Sequence, residues 1–395
     1  MPEIVAERGG LVTRERAAEL YEALPMPSTS DEHWRFTDLR GFDPDAAPAA
    51  DASLAASGPA LDLDVSGRVR VTESGIEIIS APDGVIFEPL ALDQAAKLIP
   101  EDDKFAMQNL AEWQHGLLVH VPKGVTLEKP LYVQVTSTGG TLFWRMVVVA
   151  DEGARFTLIE DLGSAEPDLG GYSNAVVELF AGQGSKIEYV SLQNLSRETW
   201  HFGRYRALLE RDSELDWVIG GFGSKSGKVW IENDLAGEGA TSRVTGAYFA
   251  DGTQHLDYDT FQEHIAPNTE SDFAFKGALR EEASSVWRGM IRVEPGAQKT
   301  NAYQENRNLL LSEQAHADSI PGLEIMANDV RCTHGATLGR IDRENLFYLM
   351  ARGLSRAEAE RLIVRGFFQD VLDRIELEPV REALGAALEA RIPQA

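Results

Sequence analysis

From Leu117 to Ile341 the sequence predicts a succession of short alternating strands, and this recurrence limits the fold more than any other feature of the chain. No long helical pattern interrupts it. A repeat of this length, with two or three strands per unit, favours a β-solenoid whose coils bury their apolar faces by stacking. An antiparallel sandwich or barrel is the alternative, because it also separates short strands by turns. The predicted turn positions, which recur every 25 to 32 residues, are Gly124, Gly153, Gly184, Ser213, Gly239, Ser271 and Gly296.

The sequence on the N-terminal side of this stretch is mixed. Thr13 is a predicted N-cap for a helix that stops at Pro25, and the stretch from Pro100 to Gly116 predicts a second helix closed by Gly116. Residues 44–60 are rich in Ala, Pro, Ser and Asp, which is typical of a flexible surface loop. The predicted regions are an N-terminal mixed and helical region at 1–116, a β-helix at 117–341 and a C-terminal helical region at 342–395.

The C-terminal region carries clear helix signals. Ser355 and Glu358 have the spacing of a capping box. Leu362, Ile363 and Phe367 follow at helical spacing and predict an apolar face. Since the open end of a solenoid exposes unpaired strand edges, we expect these helices to cap the solenoid, to dock a partner, or to do both.

Composition excludes several classes of protein. The chain has 63 acidic and 37 basic residues, and its net charge of −26 argues against nucleic acid or an anionic membrane as a partner. No apolar run is long enough to cross a bilayer, and the start of the sequence has no apolar targeting segment. A single cysteine excludes an internal disulfide framework. We therefore expect a cytoplasmic protein.

The one cysteine, Cys332, lies in the segment DVRCTHGATLGRID, two positions before His334. In a strand, side chains two positions apart share a face, so a thiol and an imidazole would stand side by side. Both groups can bind a metal ion, although a lone cysteine is more often a small buried apolar residue. His316 precedes this segment and is a third candidate ligand.

A second polar constellation lies upstream. The alternation in HLDYD predicts His255, Asp257 and Asp259 on one strand face, with His264 a few residues later. A histidine with two carboxylates could bind a divalent metal or perform acid–base chemistry, and it could equally line a solvated face of the solenoid. The glycine-rich run GGFGSKSGK at 220–228 lacks the spacing of a phosphate-binding loop and is interpreted as a turn.

Long stretches of the sequence resemble a known family. The run from Ala297 to Phe367, which contains AQKTNAYQENRNLLLSEQAHADSIPGLEI and CTHGATLGRIDRENLFYLMARGLS, is similar to the C-terminal half of the SufB/SufD proteins of the SUF iron–sulfur cluster assembly system. The similarity continues upstream through WRFTDLRGFDP, DKFAMQNLAEWQHG and DTFQEHIAPNTESDFAFKGAL, and so covers most of the chain. Within the family the SufD branch is the more similar. This chain has no cysteine in SEQAHADSIPGL, it has CTHGAT where SufB proteins have an acidic segment, and it carries WRFTDL.

The resemblance implies a mainly β protein, a right-handed parallel β-helix flanked by N-terminal and C-terminal helical regions. It implies a scaffold without catalytic activity that pairs with a SufB-like subunit, or with itself, and docks a SufC-like ATPase on its C-terminal helices. Leu362, Ile363 and Phe367 are then the expected docking residues. It also implies that His334, beside Cys332, helps to build a cluster shared with SufB, and that the isolated chain binds none.

An enzyme of the β-helix class that acts on carbohydrate is the rival interpretation. In that case Asp257 and Asp259 would serve as general acid and base. Such an enzyme would require an open cleft lined by aromatic side chains, and it would leave the C-terminal helices without a role.

Overall fold

The computed structural model describes residues 12–46, 48–54, 63–91 and 98–392. Part of the predicted loop at 44–60, residues 47 and 55–60, lies outside the described residues. The described helices are α1 Arg14–Ala23, α2 Lys104–Glu112, α3 Arg343–Ala351, α4 Arg356–Leu372 and α5 Glu378–Ala390, with short 3-10 turns at Glu32–Trp34 and Ala52–Leu54. The described strands are β1 Gly67–Thr72, β2 Gly75–Ser80, β3 Ile86–Pro89, β4 His115–Val121, β5 Leu131–Ser137, β6 Thr141–Ala150, β7 Arg155–Ser164, β8 Gly171–Ala181, β9 Lys186–Asn194, β10 Thr199–Leu209, β11 Glu214–Gly221, β12 Ser226–Leu235, β13 Thr241–Ala250, β14 His255–His264, β15 Glu270–Leu279, β16 Ser284–Val293, β17 Asn301–Leu310, β18 His316–Ile325 and β19 Arg331–Arg340.

Strands β4–β19 form eight coils of two strands each, and successive coils pair in parallel. The odd-numbered strands from β5 onward, together with β1 and β2, make sheet A, in the order β19-β17-β15-β13-β11-β9-β7-β5-β1-β2. The even-numbered strands from β4 onward, together with β3, make sheet B, in the order β18-β16-β14-β12-β10-β8-β6-β4-β3. The antiparallel pairs β1–β2 and β3–β4 close the N-terminal end of the stack. The predicted parallel β-helix with flanking helices is therefore confirmed.

One residue with positive φ occurs in each turn that leads from sheet B to sheet A, except in the last one, between β18 and β19. Its backbone N–H donates to a carbonyl in the equivalent turn of the next coil, as from Gly153 to Gln183 and from Asn268 to Gln298. Glycine meets this conformation without strain, which explains the spacing of the glycines. Of the predicted turn positions, Ser213 and Gly296 lie in these turns but do not have positive φ, and Ser271 is wrong because it lies within β15. The residues with positive φ in these turns are Gly124, Gly153, Gly184, Asp212, Gly239, Asn268 and Lys299.

The interior between the two sheets changes character along the stack. In the first coils it is aliphatic, with Val119, Met146 and Val177 fully buried. In the last coils it is filled by amides: Asn308 donates to Asn306 at 2.7 Å and accepts from the hydroxyl of a buried tyrosine. Buried amides are stable only when they are hydrogen-bonded, so these bonds fix the register of the last coils.

The two flanking regions cover opposite outer faces of the solenoid. In the N-terminal region, α1, α2 and Trp34 pack on sheet B around Phe105 and Phe202. In the C-terminal region, α4 and α5 pack on sheet A through Phe368 and Leu384. Each sheet therefore buries apolar side chains on both of its faces where a flanking region lies on it.

The ends of the helices agree with the sequence in two of three places. The N-cap at Thr13 and the capping box of Ser355 and Glu358 are confirmed. The prediction that Gly116 closes a helix is wrong: α2 ends at Glu112, and Gly116 lies in β4, where a Cβ atom would come within 3.0 Å of the carbonyl oxygen of Arg145. Close backbone approach, rather than helix termination, requires that glycine. Among the described residues, no helix is long and apolar enough to span a membrane.

Candidate functional site

The C-terminal end of the solenoid is open in the described part of the chain. Strand β18 is the last strand of sheet B and β19 is the last strand of sheet A, so each has a strand neighbour on one side only. The other side of each strand presents backbone N–H and C=O groups to any strand that approaches it. This end is therefore ready to pair with another polypeptide.

Cys332 and His334 lie on the inward face of β19. They are in register with Ala302 and Gln304 of β17, which are buried inside the solenoid, and in-register side chains of parallel strands point the same way. Cys332 is half-buried against an apolar cluster that includes Ile291, and this burial raises the pKa of its thiol. His334 is exposed, because no further coil covers it among the described residues. The predicted shared face is confirmed.

His316 does not join this pair. It lies at the first position of β18, and its side chain is exposed on the outer face, where Nε2 is 3.0 Å from Oδ2 of Asp318. Cys332 instead contacts the cluster that contains Leu323, near the end of β18. At about 3.3 Å per residue, seven positions separate His316 from Leu323 by roughly 23 Å. The expectation of a second imidazole beside Cys332 is therefore wrong for the single chain.

Exposed apolar side chains concentrate around the open end. Ile325, Met326 and Leu338 belong to the last coil or its turn, and Phe347 and Tyr348 lie on α3, which follows directly. Phe347 is 73% exposed. Isolated surface hydrophobic residues are ordinary, whereas a group beside an open strand edge marks a surface for association.

The three residues expected to dock a partner have different environments. Ile363 and Phe367 are partly buried against sheet A, and Nζ of Lys276 lies 4.9 Å from the ring of Phe367. Leu362, the residue before Ile363 on α4, is 50% exposed. Ile363 and Phe367 therefore hold the helix on the solenoid. Phe347, Tyr348 and Met350 on α3 are exposed like Leu362.

His255, Asp257 and Asp259 form a buried polar group with Lys228, and this group binds the N-terminal segment at His33 and Thr37. We call it the clasp. The Lys228 ammonium, 1% exposed, lies 2.8 Å from Asp257 and 3.5 Å from Asp259. Thr37 donates to Asp257, and His33 lies 2.6 Å from Asp259. Burial raises the pKa of Asp259, but the hydrogen bond to His33 and the charge of Lys228 outweigh it, so that pKa lies below its usual range.

His255 also belongs to this clasp. Its ring bonds to Thr37 and to Ser284, and burial lowers its pKa. Both carboxylates are ion-paired and buried, so they are not placed as the acid and base of a carbohydrate-active enzyme. Lys228 was not predicted as the partner of these carboxylates, because the sequence around it was interpreted as a glycine-rich turn. The turn is confirmed at 222–225, but Lys228 lies beyond it in β12.

His264 lies apart from His255 and Asp257, inside the solenoid. Its two ring nitrogens bond to Thr269 at 2.8 Å and to Ser271 at 2.9 Å, and burial lowers its pKa to about 4. The described residues contain no group of three or more His, Cys, Asp or Glu side chains arranged to hold a metal ion. Among the described residues, His255, Asp257 and His264 are therefore not brought together as one group of ligands.

The protein is a parallel β-solenoid with an open end, and a cysteine and a histidine lie on the inward face of its last strand. Comparison with known sequences finds a family to which this description applies. The family described as "SUF system FeS cluster assembly, SufBD core domain" matches residues 133–367. The chain belongs to the SufB/SufD family of iron–sulfur cluster assembly proteins.

Individual relatives include both branches of the family. An iron–sulfur cluster assembly SufBD family protein of Mycobacterium leprae is 31% identical over 93% of this chain and 91% of its own length. SufD of Bacillus subtilis is 28% identical over 96% of this chain and 93% of its own length. SufB of the same organism is 30% identical over 74% of this chain and 63% of its own length. Similarity to the SufD relative thus spans nearly the full length of both proteins.

Proposed function

We propose that this chain is the SufD-type scaffold of a SUF assembly complex. It pairs through its open end with a SufB-type subunit and docks a SufC-type ATPase on its C-terminal helices, without catalytic activity of its own. The observation that carries the proposal is the inward pair Cys332 and His334 in a coil that no other coil covers among the described residues. A cytoplasmic location is part of the proposal, because a thiol must stay reduced to bind iron.

The iron or iron–sulfur cluster is the cargo of this site. Thiolate and imidazole are suitable ligands for iron, but a cluster usually takes four protein ligands, and the end of one chain offers two. The remaining ligands must come from the subunit that covers the open end. The isolated chain should therefore hold no stable cluster, and the raised pKa of Cys332 means that binding must also release a proton.

We expect the open end to form the subunit contact. Replacing Leu338 and Ile325 by lysine should weaken pairing with a SufB-type subunit at least tenfold, because each lysine places a charge in an interface of about 1,000 Å² or more. Sedimentation at micromolar concentration measures the association. Ile79→Lys, at the opposite end of the solenoid and similarly exposed, is the control. Without a SufB-type subunit, the same face should pair two copies of this chain, and a stable monomer would argue against the assignment.

We expect the exposed residues of α3 and α4 to dock the ATPase. Truncating the helices would uncover the apolar outer face of sheet A, so point substitutions are the better test. Phe347→Ser with Leu362→Ser should reduce affinity for a SufC-type ATPase about tenfold or more, because both side chains are largely exposed in the free chain. Calorimetric titration measures the affinity. Ile265→Ser, an exposed turn residue, should leave it unchanged, and an equal loss in both variants would contradict the docking surface.

A further inference from the structure

A groove lies on the outer face of sheet B, away from both the open interior and the C-terminal helices. Its volume is about 580 Å³, within the range of roughly 300–1,000 Å³ that ligand sites occupy. Trp230, Phe261 and Met290 contribute apolar floor. One wall includes Leu24 and Pro27 of the N-terminal segment, and the start of α2 contributes to the lining as well.

The groove crosses the strands of sheet B and reaches its edge. Its lining runs from Arg204 on β10 through Trp230 and Arg288 to Glu324 on β18. Five neighbouring strands at about 4.8 Å spacing extend over roughly 19 Å, which matches six residues of extended polypeptide. One end of the groove is therefore continuous with the open edge of the solenoid.

The charge of the groove decides what it can bind. Its two arginines are already paired: Arg204 lies 2.7 Å from Asp103 and 2.8 Å from Glu232, and Arg288 lies 3.0 Å from Glu32. An anionic ligand would have to displace these partners. Seven acidic side chains line the groove against three Lys and Arg side chains and His33. The acidic residues are Asp31, Glu32, Asp102, Asp103, Glu232, Asp259 and Glu324. Lys228 and Arg292, behind the lining, pair with Asp259 and Glu324, which leaves Asp31 and Asp102 as the acidic side chains in no ion pair among the described residues.

We propose that this groove binds a basic, extended segment of a partner polypeptide. Successive side chains of an extended segment point to opposite sides, so apolar residues can face Phe261 and Met290 while lysines or arginines face the acidic rim. A polypeptide fits better than a small cation, because the floor is apolar and the groove opens at β18, where a neighbouring protein can approach an unpaired strand edge. The proposal does not depend on the role of His334 or on the ATPase.

Binding of a fluorescein-labelled peptide of three alternating lysine–leucine pairs to the full chain tests the proposal. Fluorescence anisotropy is measured at about 0.15 M salt, where weak surface attraction is screened. Glu324→Lys and Asp102→Lys alter opposite parts of the groove, and each should weaken binding about tenfold, since an attraction becomes a repulsion. The same peptide with glutamate in place of lysine should not bind.

Glu198→Lys is the matched control, because Glu198 is 59% exposed and 3.8 Å from Lys225, while Glu324 is 55% exposed and 3.8 Å from Arg292. Glu198 precedes β10 and does not line the groove. Unchanged binding in this variant, with loss in the other two, supports the site. Equal losses in all three variants would show attraction to the acidic protein as a whole and would overturn it. Displacement of the peptide by an equal concentration of spermine would show that positive charge alone suffices, and this would also overturn the polypeptide assignment.

Discussion

Replacing His334 by alanine is expected to abolish cluster formation on the complex with a SufB-type subunit while leaving that complex intact. The imidazole is exposed on the inward face of the last strand and packs against little, so its loss removes a ligand without opening a cavity. Reconstitution with iron, a sulfide source and ATP, followed by visible absorbance, measures the cluster. Sedimentation of the same sample shows whether the complex persists.

His316→Ala is the matched control, because His316 is also an exposed histidine in an edge strand but lies on the outer face. It should give the cluster yield of the wild type. Cys332→Ser should have a smaller effect than His334→Ala, since the thiol is half-buried with a raised pKa and packs as a small apolar residue. A full cluster yield from the His334→Ala complex would mean that this residue has no part in cluster assembly.

The solenoid could be predicted because its physical cause is local. Each coil needs one tight turn from sheet B to sheet A and two apolar strand faces. The turn and the apolar alternation can both be recognised in the sequence of a repeat. The one wrong turn position, Ser271, was predicted for a turn in which a residue other than glycine adopts positive φ. Asp212, Asn268 and Lys299 do so because the hydrogen bond to the next turn holds them there, and only the stacked neighbour makes that visible.

The candidate site was predictable in part for a similar reason. The shared face of Cys332 and His334 follows from the two-residue period of a strand. The position of His316 does not follow from this period, because its distance from Cys332 depends on how β18 and β19 face each other across the solenoid. The role of Asp257 could not be predicted from the sequence either, because its partners Lys228 and Thr37 are 29 and 220 positions away.

The clasp around Lys228 gives the second large expected effect, this time on stability. The ammonium is buried between Asp257 and Asp259, and it lies 5.1 Å from the ring of Trp230. Removing one partner of a buried ion pair leaves the other charge unpaired in a poorly solvated site. Lys228→Met keeps most of the aliphatic volume and removes the charge together with the hydrogen bond to Asp257, so the change tests the polar contribution of this side chain.

Lys228→Met should lower the free energy of unfolding by about 3–5 kcal/mol. Urea denaturation followed by tryptophan fluorescence measures this, and hydrogen exchange at residues 32–37 should rise first, because stacked coils can unfold in parts. Lys186→Met removes an exposed pair with Glu214, both side chains being about half exposed, and should cost less than about 1 kcal/mol. Adding Asp257→Asn to Lys228→Met should restore part of the lost stability by removing a buried unpaired carboxylate. If the double variant were no more stable than Lys228→Met, the loss would have to come from packing against Trp34 and Trp230 rather than from charge.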